Sequence, residues 1–225
     1  MSTRGSGGKD ERQRALLHTL LEDHGRTYAE EAGITLRDTP QPLYRLLVLA
    51  HLLSARIRAS VAVAAARELS DAGMRSPEAM RKASWQERVD ALGRGGYRRY
   101  DERTATQLGD GAELLIERYG GDLRRMRKQA DGDVDELRRL LREVPGIGPA
   151  GVDIFLREVQ AVWPEAGPML DEKALQGARR LGVADDPGTL LKLADDADAA
   201  HLAAGLVRAA LDKELAGSVK EHATA

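Results

Sequence analysis

Apolar residues recur along this chain at helical spacing, and no segment sustains the apolar-polar alternation of a strand. Leu16, Leu17, Leu20 and Leu21 fall on one side of the run from Asp10 to Gly25, which predicts a first amphipathic helix. The stretch Asp38-Thr39-Pro40-Gln41-Pro42 interrupts the chain. The run after it, Leu43 to Ser54, is apolar nearly all round, the pattern of a central buried helix. Ile57 to Ser70 carries Val61, Val63 and the alanines Ala64 to Ala66, whose small side chains permit close helix contact. Ser76-Pro77-Glu78 and Ser84-Trp85-Gln86-Glu87 read as helix starts, the second as a capping box. Gly93, Gly95 and Gly96 precede a long helix from about Arg99 to Tyr119, which Gly120-Gly121-Asp122 ends. Asp133 to Val144, Ala150 to Val162, Glu172 to Leu181, Thr189 to Ala194 and Asp198 to Leu215 complete an all-α expectation.

Composition narrows this picture. A chain of 225 residues predicts one domain or two small lobes, and with a single Phe its core must be mainly aliphatic. The absence of cysteine rules out disulfides, thiolate metal sites and a cysteine-held iron-sulfur cluster. Met1 to Lys9 is a Ser/Gly-rich tail, and the first apolar run is too short and too charged for a signal peptide or a bilayer span, so a soluble cytoplasmic protein is expected. Residues 1–9 and 217–225 read as disordered ends.

The net charge of −2 argues mildly against a nucleic-acid partner, but its distribution matters more than its sum. Arginines gather at Arg94, Arg98, Arg99 and Arg103, at Arg124, Arg125, Arg127 and Lys128, and at Arg138, Arg139 and Arg142. Acid collects in Asp185, Asp186, Asp195, Asp196 and Asp198. A basic middle and an acidic C-terminal third could leave one face positive; the alternative is ordinary solvated helix faces with opposite-sign pairs.

The most distinctive stretch is Val144-Pro145-Gly146-Ile147-Gly148-Pro149, a turn between two amphipathic runs. Neither glycine carries a Cβ, so the backbone there can come very close to another group. Amides at the turn and at the start of the second helix can point outward together, which makes a phosphate site without any particular side chain. Pro149 fits the first position of that second helix.

Five segments in this order resemble the helix-hairpin-helix DNA glycosylase superfamily, whose best-known member is endonuclease III. Leu43 to Ala55 is similar to the family's buried helix ending in Leu-Ser-Ala-Gln. Gly96-Tyr97-Arg98 with the Ala105 helix, and Tyr119-Gly120-Gly121-Asp122, are similar to its tyrosine-arginine segment and its Phe-Gly-Gly turn. Val144 to Gly148 resembles Leu-Pro-Gly-Val-Gly, and Leu170-Asp171 with Arg179-Arg180-Leu181-Gly182 resembles Val-Asp-Thr-His followed by Arg-Leu-Gly.

The resemblance implies an all-α, two-lobed helix-hairpin-helix DNA glycosylase fold. A helical barrel over 37–162 would carry the hairpin, and 1–36 plus 163–225 would form the second lobe, with the DNA groove and Asp171 between them. Asp171 would be catalytic, its carboxylate stabilising positive charge on the sugar as the glycosidic bond breaks. The competing role for Asp171 is a plain N-cap. The family's Schiff-base lysine position is Ala150 here, so water must attack and the enzyme would be monofunctional, leaving an abasic site. Lys173, two residues past Asp171, should point away from the same face. Val144, Pro145, Gly146, Ile147, Gly148 and Ala150 would bind DNA. Arg56, where the family commonly has glutamine, would fill the stack behind a flipped base or hold a phosphate.

Tyr44, Tyr97, Tyr100 and Trp85 could stack on a base but fit a core or its boundary better, and His51 reads as a packed histidine. No cofactor is expected: the iron-sulfur cluster of related enzymes has no ligands in Val183 to His201, and only a monovalent cation at the hairpin turn is compatible. Packing of Leu190, Leu191, Leu193, Leu202 and Leu206 would hold that region instead. The implied partner is double-stranded DNA with a damaged base, bound by a monomer away from any membrane. Two other classes compete: a non-catalytic DNA-binding or damage-sensing protein, and a helical protein-interaction module without DNA.

Overall fold

The computed structural model describes residues 5–195 and 197–223; residues 1–4, Asp196, 224 and 225 lie outside them. The described chain is helical throughout, with no strand. In chain order the helices are α1 (Gly5–His24), α2 (Tyr28–Glu31), α3 (Pro40–Leu53), α4 (Ala59–Asp71), α5 (Pro77–Lys82), α6 (Trp85–Arg94) and α7 (Asp101–Tyr119). They continue with α8 (Leu123–Ala130), α9 (Val134–Leu141), α10 (Pro149–Val159), α11 (Glu172–Leu181), α12 (Pro187–Leu193), α13 (Ala199–Leu211) and α14 (Lys213–His222). None of the described helices is long and apolar enough to cross a membrane. The chain divides into two compact units, Tyr28–Glu165 and Met1–Thr27 with Ala166–Ala225.

In the Tyr28–Glu165 unit α3 is the centre. Leu43, Leu46, Leu49, Ala50 and Leu52 are all fully buried, as a helix apolar on every side must be, and α4, α8 and α10 pack around it. Pro40 and Pro42, read from sequence as an interruption, are the first turn of α3, where a missing N–H costs nothing. The capping box at α6 is formed: Ser84 Oγ accepts the Glu87 amide at 3.2 Å and Glu87 Oε2 accepts the Ser84 amide at 2.7 Å. Hydrogen bonds to the carboxylate from the Ser84 amide and from the Ser84 side chain favour its ionised form and lower the Glu87 pKa. From α6, the Arg88 guanidinium donates to the carbonyls of Met80 (3.0 Å) and Ala83 (2.7 Å), closing the C-terminal end of α5 with a cation.

The border of this unit differs from the expected 37–162. The buried Glu158 carboxylate accepts the amides of Tyr28 (3.1 Å) and Ala29 (2.9 Å) at the start of α2. The Trp163 indole, fully buried, donates to Asp38 at 2.9 Å and meets the Phe155 ring edge-on at 5.7 Å. These ties draw residues 28–36 and 163–165 into this unit, leaving 1–27 and 166–225 for the other.

In that second unit α1 lays Leu16, Leu17 and Leu20 against α13, and α12 and α14 flank it. Helices α11 and α13 cross so closely that a Cβ on Gly177 would land on the Leu206 carbonyl. Leu190, Leu193, Leu202 and Leu206 are buried and Leu191 is half-buried.

Two expectations need correction, and one helix is added. The ends are not wholly irregular: α1 begins at Gly5 and α14 runs to His222, so 5–9 and 217–222 are helical. The single helix expected over Asp198 to Leu215 is two, because Asp212 leaves helical geometry (φ −122°, ψ 117°) and caps α14 through the amides of Glu214 (2.9 Å) and Leu215 (3.1 Å). Helix α8, which begins where Asp122 accepts the Arg124 amide at 3.0 Å, occupies a segment to which the sequence pattern assigned no element.

Candidate nucleic-acid interface

Residues 142–148 join α9 to α10 in a tight hairpin. Val144 and Ile147, each 4% exposed, plug the turn into the core, and the Ile147 amide bonds back to the Val144 carbonyl at 3.0 Å. The two glycines have different reasons to be there. Gly146 sits at φ +87°, and a Cβ on it would collide with the His51 ring, so the fold itself demands glycine. Gly148 is exposed, in an extended conformation (φ −89°, ψ −175°), with nothing within 4 Å of where a Cβ would stand. Nothing inside the protein requires glycine at that position.

Gly148 is also the N-cap of α10, and it offers no side chain to cap it. The first amides of a helix lack internal partners, and Pro149 removes one of them outright. Among the described residues no group accepts a hydrogen bond from the amides of Gly146, Gly148 or Ala150, none of which is buried. The turn therefore presents a bare backbone surface of unpaired donors at the positive end of a helix.

This hairpin forms one wall of an open cleft of about 690 Å³. The other walls are the end of α3 with Ser54, Ala55 and Arg56, and the segment from Tyr97 into α7. Beneath the turn lies His51, 6% exposed, its Nε2 hydrogen-bonded to Gln107 Oε1 at 3.2 Å. Burial lowers its pKa to about 4, with the Gln107 bond opposing and the Arg103 charge adding to the effect. His51 is thus a neutral packing residue that supports Gly146, as its place on an apolar helix implied.

Charge around the cleft is one-sided. Arg56, Arg103 and Arg142 line it from three different segments, all exposed, and none has an acid partner among the described residues. Glu143, the acid in the lining, is held by Arg139 (2.6 Å) on one oxygen and by Arg118 on the other. Several other members of the sequence clusters are paired. Arg94 meets Glu68 at 2.9 Å, Arg124 meets Asp122 at 2.7 Å, Arg127 meets Asp38 at 2.9 Å and also Glu165, and Arg138 meets Asp153 at 2.6 Å. Solvated ion-paired faces are thus the right description for these arginines, and a free cationic surface for the ones at the cleft.

Of the aromatic residues considered from sequence, Tyr44 and Tyr97 are buried, at 2% and 1% exposure, and burial raises the pKa of both phenols. Tyr100 is half-buried at the cleft with the Arg99 guanidinium 5.2 Å from its ring centre. Trp85 is 41% exposed, its indole N–H donating to Thr106 Oγ1 at 3.1 Å.

Val144, Pro145, Gly146, Ile147, Gly148 and Arg56 are brought together around this cleft; Ala150 is exposed on the first turn of α10, outside its lining. Asp171 belongs to the other unit, where it is the half-buried N-cap of α11 and its Oδ1 accepts the Ala174 amide at 2.9 Å. Lys173 Nζ donates to Gln176 Oε1 at 2.8 Å, along the exposed face of its own helix. Among the described residues no group of three or more His, Cys, Asp or Glu side chains is gathered as for a metal ion. Sequence reasoning missed Arg103, Arg142 and Gln107 as cleft residues; Arg103 and Arg142 stood out only as members of runs, with no signal of which members would find an acid.

No protein-family model, no curated protein and no solved structure matches this chain.

Proposed function

We propose that the protein is a helix-hairpin-helix DNA glycosylase that hydrolyses the N-glycosidic bond of a damaged or mismatched base without cleaving the strand. Gly148 carries this reading. A glycine that the fold does not need, at a helix N-terminus with unpaired amides, is explained by a ligand that approaches the backbone more closely than a Cβ allows. A phosphate of the DNA backbone is such a ligand, and unpaired arginines beside the turn favour a polyanion.

The chemical half rests on the resemblance at Asp171. As the C1′–N bond breaks, its carboxylate would stabilise the positive charge on the sugar. Water then bonds to C1′, and its proton passes to the departing base. Ala150 stands where an amine nucleophile would be, so no covalent enzyme–sugar intermediate forms and an abasic site is the product.

The test is incubation with duplexes carrying uracil, hypoxanthine, 3-methyladenine, thymine glycol or 8-oxoguanine, followed by alkali to split abasic sites. Asp171→Asn is run alongside. Asn caps a helix as well as Asp, so the variant should keep its fold and its DNA affinity while excision falls by roughly 10²–10⁴-fold.

A second reading, a DNA-binding or damage-sensing protein without catalysis, is favoured by one observation. Asp171, Glu172 and Lys173 each have a local partner on α11, in Ala174, Arg179 and Gln176, which is what a purely structural helix start needs. On that reading no duplex is cut and Asp171→Asn changes nothing.

A further inference from the structure

The hairpin turn offers the amides of a single helix start, yet the cleft it borders is far larger and is lined by cations the protein does not use internally. We infer that Arg103 and Arg142, together with Arg56, form a second anion-binding surface beside the turn, which holds the DNA backbone phosphates flanking the one at Gly148. The inference rests on the reading of the hairpin as a DNA interface and adds to it two residues that the family resemblance does not assign.

Three observations carry it. The guanidiniums come from separate elements, the first turn of α7, the C-cap of α9 and the loop after α3, so their meeting at one cleft is a product of tertiary folding and not of helix periodicity. They are exposed and lack acid partners among the described residues, although neighbours on the same helices, Arg118, Arg138 and Arg139, are all paired. Finally, the one acid in the lining, Glu143, is neutralised by Arg118 and Arg139, which removes the charge that would otherwise repel an anion. Arginine suits phosphate because its planar fork donates two hydrogen bonds at once.

The experiment is a salt titration of binding to a fluorescein-labelled, lesion-free duplex, read by anisotropy. Removing one arginine–phosphate pair should lower the slope of log affinity against log salt by about 1. Arg103→Gln with Arg142→Gln should therefore lower it by about 2, weaken binding alike on duplexes of unrelated sequence, and leave the thermal midpoint unchanged, since neither guanidinium has an acid to hold within the protein. Arg94→Gln, whose partner is Glu68 outside the cleft, is the control and should leave the slope as it was.

An unchanged slope in the double variant, with binding still abolished in Gly148→Val, would overturn this inference and leave the hairpin reading standing. An equal drop in Arg94→Gln would also overturn it, by making the effect one of bulk charge. Absence of salt-dependent binding in the parent protein would overturn both.

Discussion

Exchanging Gly146 and Gly148 separately distinguishes a glycine needed by the fold from one needed by a ligand. For Gly146→Ala the backbone must hold an L-residue at φ +87°, which costs about 1–2 kcal/mol. The new Cβ also meets the buried His51 ring, and relieving such overpacking costs a further ~1–3 kcal/mol. A loss of about 2–5 kcal/mol would consume a large part of the ~5–15 kcal/mol that holds a typical domain together. For Gly148→Ala the methyl enters open space at an ordinary extended conformation. Alanine is a poorer N-cap than glycine, but it also restricts the unfolded chain by ~0.4–1 kcal/mol, and the two effects roughly cancel. Urea unfolding followed by circular dichroism, with anisotropy on a duplex at low salt, reads both properties. The expected pattern is Gly146→Ala destabilised and Gly148→Ala as stable as the parent but weak on DNA. Gly148→Val should be weaker still. The reasoning is refuted if Gly148→Ala unfolds early, which would make that glycine structural, or if it is stable and binds DNA undiminished.

Other expectations concern buried charge and the two ends of the proposal. His51 binds a proton at about 4 when folded and near 6.5 when unfolded, so protons favour the unfolded chain. Stability should fall as pH drops from about 6.5 towards 4, by about 3 kcal/mol in all, and His51→Gln should remove that part of the urea-midpoint profile. Glu158→Ala would leave the Tyr28 and Ala29 amides without their acceptor and should destabilise by roughly 3 kcal/mol; a midpoint equal to the parent's would mean that α2 does not depend on this carboxylate. Asp171→Ala should lose ~1 kcal/mol of stability that Asp171→Asn retains, which separates the cap from any chemistry; equal stability in the two would deny the capping role.

Local sequence determined most of the helix map, because helix formation and termination are written in nearby residues. The Ser84–Glu87 box, Pro149 at the head of α10 and the αL glycine Gly120 closing α7 are each satisfied by groups within a few positions. The buried α3 was legible for the same reason, since a helix apolar all round has only one place to go. Helix α8 was missed although its signal is present: Asp122 as cap and Leu123, Met126 and Ala130 on one side of an otherwise basic stretch, too short to stand out by period. Asp212 carried an equally local signal for the break before α14.

What the sequence could not contain is which distant groups find one another. Gly146 and Gly148 are alike in the chain, and the left-handed backbone of the folded turn together with the His51 ring, nearly a hundred residues earlier, makes one of them obligatory for folding. Arg138 and Arg142 sit in one cluster, and only tertiary folding, which brings Asp153 of α10 to the first, leaves the second without an acid among the described residues. Glu158 ties residues 28–36 to the Tyr28–Glu165 unit by bonds that span more than a hundred positions. Short-range rules decide where helices start and stop; the partners of long side chains are set by three-dimensional packing, and with them the border of each unit and the charge left free at the cleft.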